Sequence, residues 1–247
     1  MKSLKIWGLV VAGLLAAACT PGQNTRPDSI GVEERTKQAL YLYRQNRLDQ
    51  ALKDIKVALK QVPNNGDANN IAGLIYERMG DVGLAEQHFK KAVELQPNDA
   101  YTRNNYGTFL CEQGRIFEAE EEFLTAVYDE SYPTPEVAYT NAGVCVRRIP
   151  DLDRAAQYFH AALEANPNTA KALLNLARIY YEKERFNQAQ GNMENYLAVN
   201  EPNAKALLLA YRIENALGNK SAADEYSLRL QQRYPDSQEL RQLMRTQ

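Results

Sequence analysis

A pattern of small and large apolar residues returns along this chain about every 34 residues, and it restricts the fold more than any other feature. Its clearest copy is GDANNIAGLIYERMGDVGLAEQHFKKAVELQPND, residues 66–99. In steps of three and four this stretch gives two amphipathic helices. The first carries Ala72, Gly73 and Tyr76, and the second Ala85, Phe89 and Ala92. Gly80 falls at the turn between them, and Pro97, with no N–H to donate, closes the unit. One such hairpin cannot bury its apolar face alone, so copies must stack.

Stepping back one period finds Ala39, Leu42, Ala51, Ile55, Ala58 and Pro63. Stepping forward finds Gly107, Leu110, Gly114, Ala119, Phe123 and Ala126, with Pro133 slightly late. After a two-residue lengthening around Tyr132–Pro135 the register resumes at Gly143, Val146, Ala155, Phe159, Ala162 and Pro167. A fifth copy carries Ala177, Tyr180, Ala189, Met193 and Pro202, and a weaker sixth Tyr211, Gly218, Ala223, Leu230 and Pro235. This phase of Gly, Ala, aromatic and Pro resembles the tetratricopeptide (TPR) repeat. The expected fold is all-α, a right-handed α-solenoid of six TPR repeats at residues 32–65, 66–99, 100–135, 136–169, 170–203 and 204–237. Residues 238–247 should add a C-terminal capping helix, with Leu240 and Leu243 covering the sixth repeat.

Residues 1–18 read as a signal peptide: Lys2 and Lys5, then the apolar run IWGLVVAGLLAAA, too short to span a bilayer comfortably. LLAAAC resembles a bacterial lipobox, which implies lipidation of Cys19. The alternative is an ordinary secretory signal with an incidental cysteine. Thr20, not Asp, follows Cys19, and in the lipoprotein class this resembles, that implies the outer membrane, with the protein on its periplasmic face. Residues 19–31, rich in polar residues, Pro and Gly, read as a flexible tether.

The net charge is −2, and loss of Lys2 and Lys5 with a cleaved signal would leave −4. With no basic stripe, nucleic acid is not the expected partner. His88 and His160 have no second ligand at metal spacing and read as helix-surface residues, so no metal or other cofactor is expected. The run EAEEE, residues 118–122, reads as spread round a solvated helix face. No Gly-rich phosphate loop or strand-to-helix nucleophile turn appears, so a protein-binding module is expected, with no enzyme activity and no small-molecule substrate. Cys111 and Cys145 lie one repeat apart on neighbouring first helices, so a disulfide between them is the favoured reading; two separate buried thiols are the alternative.

The first helices of stacked TPR hairpins line one face, and the candidate partner-binding residues there are Leu40, Tyr43, Leu74, Arg78, Asn104 and Asn141. Glu77, Thr108 and Thr140 lie on the same line. Farther on come Arg147, Arg148, Lys171, Arg178, Tyr181, Lys205, Leu208 and Arg212, so the face turns from apolar and mixed to basic. The Lys and Asn set of the TPR carboxylate clamp is missing.

Two stretches are more specific than generic TPR: AYTRNNYGTFLCEQGRIFEAEEEF, Ala100–Phe123, and YPTPEVAYTNAGVC, Tyr132–Cys145. With the lipobox and six repeats they resemble the PilF/PilW family of type IV pilus biogenesis lipoproteins. That resemblance implies a pilotin, which helps the pilus secretin reach the outer membrane and multimerise there. The rival readings are a TPR scaffold lipoprotein for β-barrel assembly or cell-wall enzymes, and an enzyme or regulator acting on peptidoglycan.

Overall fold

The computed structural model describes residues 31–245, all of whose regular structure is helical. The helices run α1 (Val32–Arg44), α2 (Leu48–Gln61), α3 (Gly66–Met79), α4 (Val82–Leu95), α5 (Ala100–Glu112) and α6 (Ile116–Val127). They continue as α7 (Pro135–Val146), α8 (Leu152–Ala165), α9 (Ala170–Glu182), α10 (Phe186–Val199), α11 (Ala204–Ala216), α12 (Lys220–Arg233) and α13 (Gln238–Met244). Each odd helix packs on the even one after it, and each even helix on the next odd one. The result is an α-solenoid of six TPR hairpins with a short thirteenth helix at its end. Cys19 and most of the tether lie outside the described residues.

The boundaries follow from local chemistry. Within hairpins the chain turns through a left-handed residue at Asn46, Gly80, Gly114, Glu184 and Gly218. Glycine takes that conformation without the Cβ clash that penalises other residues. Between hairpins, side-chain caps accept the free N–H groups of the next helix: Asn65 for α3, Asp99 for α5 and Asn203 for α11.

Hairpins close where a glycine faces a phenylalanine. A Cβ built on Gly73 would lie 2.7 Å from the Phe89 ring, one on Gly107 2.9 Å from Phe123, and one on Gly143 2.8 Å from Phe159. Only a residue without Cβ lets these rings lie against the opposing backbone, and all three rings are buried. Alanines at 51, 85, 119, 155 and 189, all fully buried, allow equally close approach from the second helices. The lengthened turn before α7 is filled by Tyr132, which is buried with Ala100, Ala126 and Ala138 and meets Tyr101 edge-on. At the far end Leu243, buried, and Leu240 pack with Leu207, Leu208 and Leu230, so α13 covers the apolar flank of the sixth hairpin.

Two expectations need correction. Glu120, within the EAEEE run, is not solvated: it is only 3% exposed, paired with Arg154 and accepting from the Tyr158 hydroxyl. Helix α6 is covered by the next hairpin, so one of its carboxylates is enclosed, while Glu118 and Glu121 stay exposed. Tyr158 is pushed up to about 12 by burial and by its bond to Glu120. Removing the cation with Arg154→Leu should therefore leave a buried charge held by one hydroxyl, at a cost of about 2–3 kcal/mol in urea unfolding. A change within about 0.5 kcal/mol would show that the pair contributes nothing net. His88 is the second correction. It is half-buried, stacked on Tyr76 and 3.0 Å from Asn69 Oδ1, because the hairpin of α3 and α4 closes over it.

Candidate functional site: the first-helix face

Odd-numbered helices touch their odd-numbered neighbours along the whole stack, so their outward sides form one continuous face. Hydrogen bonds cross it at intervals of about one repeat. Asn105 donates to Asn70 (3.1 Å), Asn141 to Asn104 (3.1 Å) and Lys171 to Asn141 (3.4 Å). Arg78 donates to the Tyr43 hydroxyl (3.0 Å) and lies over its ring, and Arg147 bonds Asn175 and Glu182. Arg148 donates to the Cys111 carbonyl, tying the ends of α7 and α5 together. The basic pair Arg147 and Arg148 is therefore partly occupied in holding repeats in register.

Two cavities open on this face. The first, about 330 Å³, is lined by Tyr43, Leu74, Glu77, Arg78, Asn105, Thr108 and Glu112. Tyr43, Leu74 and Arg78 from the candidate set meet there. Leu40 is half-buried in the packing between the first two hairpins, Asn104 is buried, and Asn141 is half-buried; none of these lines the cavity. Asn105 and Glu112 were not among the candidates. The signal for them was the period itself, because Asn105 follows Asn70, and Glu112 follows Glu77, at the 35-residue step that separates Arg78 from Tyr43.

Burial first, and the Glu112 carboxylate second, push the Glu77 carboxyl up to about 7. A carboxyl that holds its proton more tightly folded than unfolded contributes stability fully below the ordinary carboxylate range, and loses it as pH rises through about 7. Glu77→Gln is neutral at every pH. It should stabilise the protein by about 1–2 kcal/mol at about pH 8, allowing for solvent screening, and leave it unchanged at about pH 4. Thermal melts at both values measure this; equal effects at both would show that Glu77 titrates normally.

The second cavity, about 350 Å³, is lined by Arg178, Tyr181, Glu182, Lys205, Leu208, Leu209 and Arg212, with Glu239 and Gln242 of the capping helix at its edge. Arg178 is pulled down by burial and then by the charge of Arg147. Between the cavities, Cys111 and Cys145 are joined as a disulfide with Cα atoms 5.7 Å apart, linking α5 to α7. Among the described residues no cluster of three or more His, Cys, Asp or Glu side chains could hold a metal ion, and no helix is long and apolar enough to cross a membrane. The face offers hydrogen bonds, apolar floor and fixed charge over a long surface, which suits a protein chain.

Comparison with known proteins agrees with this geometry. Tetratricopeptide repeat models match residues 36–100, 88–121 and 151–191. The chain is 28% identical to the type IV pilus assembly protein PilF of Pseudomonas aeruginosa over 236 residues, covering 94% of this chain and 93% of that one. The structure of Pseudomonas aeruginosa PilF superposes with a TM-score of 0.79 at 25% identity, over 87% of this chain and 97% of the other. That of PilW, described as a widely conserved type IV pilus biogenesis factor, gives 0.78 at 32% identity, over 86% and 98%. Six stacked TPR hairpins, matched along nearly the full length of both relatives, place this chain in the PilF/PilW family of TPR type IV pilus biogenesis proteins.

Proposed function

We propose that this protein is a pilotin: it binds the pilus secretin through its first-helix face and promotes the secretin's outer-membrane localisation and multimerisation. The observation that carries this reading is the family likeness over nearly the whole chain, joined to a face whose open cavities suit a peptide segment. Lipidation at Cys19 would hold the module at the periplasmic side of the outer membrane. Several acyl chains, at about 0.8 kcal/mol per buried CH₂, anchor a domain without a spanning helix. Tethering would also raise the effective concentration of the module near membrane partners. Tyr43, Leu74 and Arg78, which line the first cavity, are the proposed direct contacts, and Leu40, Asn104 and Asn141, outside it, are proposed to support them.

The test compares secretin multimers in outer-membrane fractions from wild type, a deletion strain, Cys19→Ser, and Leu40→Asp with Tyr43→Ala. Deletion should remove the multimers, and Cys19→Ser should leave them formed but in the inner membrane. The groove variant should reduce multimers roughly tenfold while circular dichroism stays helical. Unchanged multimers in the deletion strain would overturn the pilotin reading and leave a TPR scaffold for β-barrel assembly or cell-wall enzymes.

A further inference from the structure

The two cavities of the first-helix face carry opposite, incompletely compensated charge. In the first, Glu77 and Glu112 face the cation Arg78, whose guanidinium is already engaged with Tyr43: it bonds the hydroxyl and lies 4.8 Å from the ring centroid. Glu77 Oε1 is shut off from water and has no hydrogen-bond partner among the described residues. In the second, Arg178, Lys205 and Arg212 surround a floor of Leu208 and Leu209. Of its carboxylates, Glu182 is tied to Arg147, and Glu239 sits on the capping helix. Glu77, Arg178 and Arg212 are half-buried, while Glu112 and Lys205 are exposed at the rims. A half-buried charge short of a partner costs free energy, so each cavity favours a ligand group of the opposite sign.

The lining of the first cavity also presents a side-chain amide and a hydroxyl. Asn105 donates one proton to Asn70, and among the described residues its carboxamide oxygen has no donor and can accept. Thr108 donates to the Asn104 carbonyl and can still accept. An extended segment has main-chain N–H and C=O groups to satisfy, whereas a helix has already satisfied most of its own.

We propose that the first-helix face binds its protein partner in one direction, as an extended segment. A basic side chain of that segment enters the cavity of Glu77 and Glu112, and an acidic side chain or terminal carboxylate enters the cavity of Arg178, Lys205 and Arg212. This rests on the reading of the face as the partner-binding surface and adds the chemistry and polarity of what it holds. The Glu77 carboxyl, held up by burial, would return to its ionised form against a bound cation.

Selection of displayed random peptides on the purified full chain tests this. The recovered peptides should carry a basic residue towards one end and an acidic residue towards the other, always in the same order. Glu77→Gln with Glu112→Gln should weaken them about tenfold or more, and the loss should vanish when the peptide's basic residue is already Ala. Arg178→Gln with Lys205→Gln and Arg212→Gln should do the same for the acidic residue. Peptides lost with Tyr43→Ala but showing no charge order, or indifferent to both sets of Gln variants, overturn the directional proposal and leave the face as the binding surface. Peptides indifferent to Leu40→Asp and Tyr43→Ala as well, or no peptides at all from folded protein, overturn both.

Discussion

Phe123→Ala is expected to lower the unfolding free energy by about 3–5 kcal/mol. The ring is 1% exposed and belongs to the central core, where it lies against Gly107 of its own hairpin. Its partner, Gly107, has no Cβ, and the backbone carbonyl of Ala119 lies only 3.1 Å from where one would sit. Deleting the ring therefore leaves a void that the opposing helix cannot fill with a side chain, and close-packed interiors relax only partly. The same geometry predicts the reverse error: Gly107→Ala should cost about 1–3 kcal/mol by overpacking. Tyr128, 80% exposed, is the control, and Tyr128→Ala should stay within about 0.5 kcal/mol. Denaturant titration of the three variants checks this; a Phe123→Ala loss no larger than that of Tyr128→Ala would sink the packing account.

Replacing Cys111 and Cys145 together with Ala is the second large change, expected to cost about 3–4 kcal/mol by the chain-entropy model for a link across 34 residues. Alanine avoids placing a hydroxyl where Cys145 is fully buried and Cys111 6% exposed. The link ties α5 to α7 beside the Arg148 contact to the Cys111 carbonyl, across the step where the repeat is two residues longer. Thermal melts with and without reductant are the measurement. Reductant should lower the wild-type midpoint and leave the double variant where it is; a wild-type midpoint indifferent to reductant would mean that the cysteines are not joined in solution.

The fold's legibility in the sequence differs from residue to residue. Gly73, Gly107 and Gly143, with Phe89, Phe123 and Phe159, stand at fixed phase in the sequence and meet pairwise in the fold. Glu112 sits one period after Glu77 and could have been found by that spacing. Glu120 could not: nothing in a run of glutamates says which one faces Arg154 and Tyr158 of the following hairpin. Asn104 and Asn105 are adjacent in sequence, yet they bond in opposite directions along the stack, to Asn141 and Asn70.

By itself the sequence determined the helices, their pairing and the stacking, because those depend on periodic burial and on turn residues acting within one repeat. It also carried the family likeness, which is a property of the string of residues. Only the tertiary structure decided which charges are enclosed, which cations are already paired, and where the first-helix face opens into cavities. Those depend on side chains a full repeat apart or more. Their distances are set by how one hairpin leans on the next, and no local pattern encodes that angle.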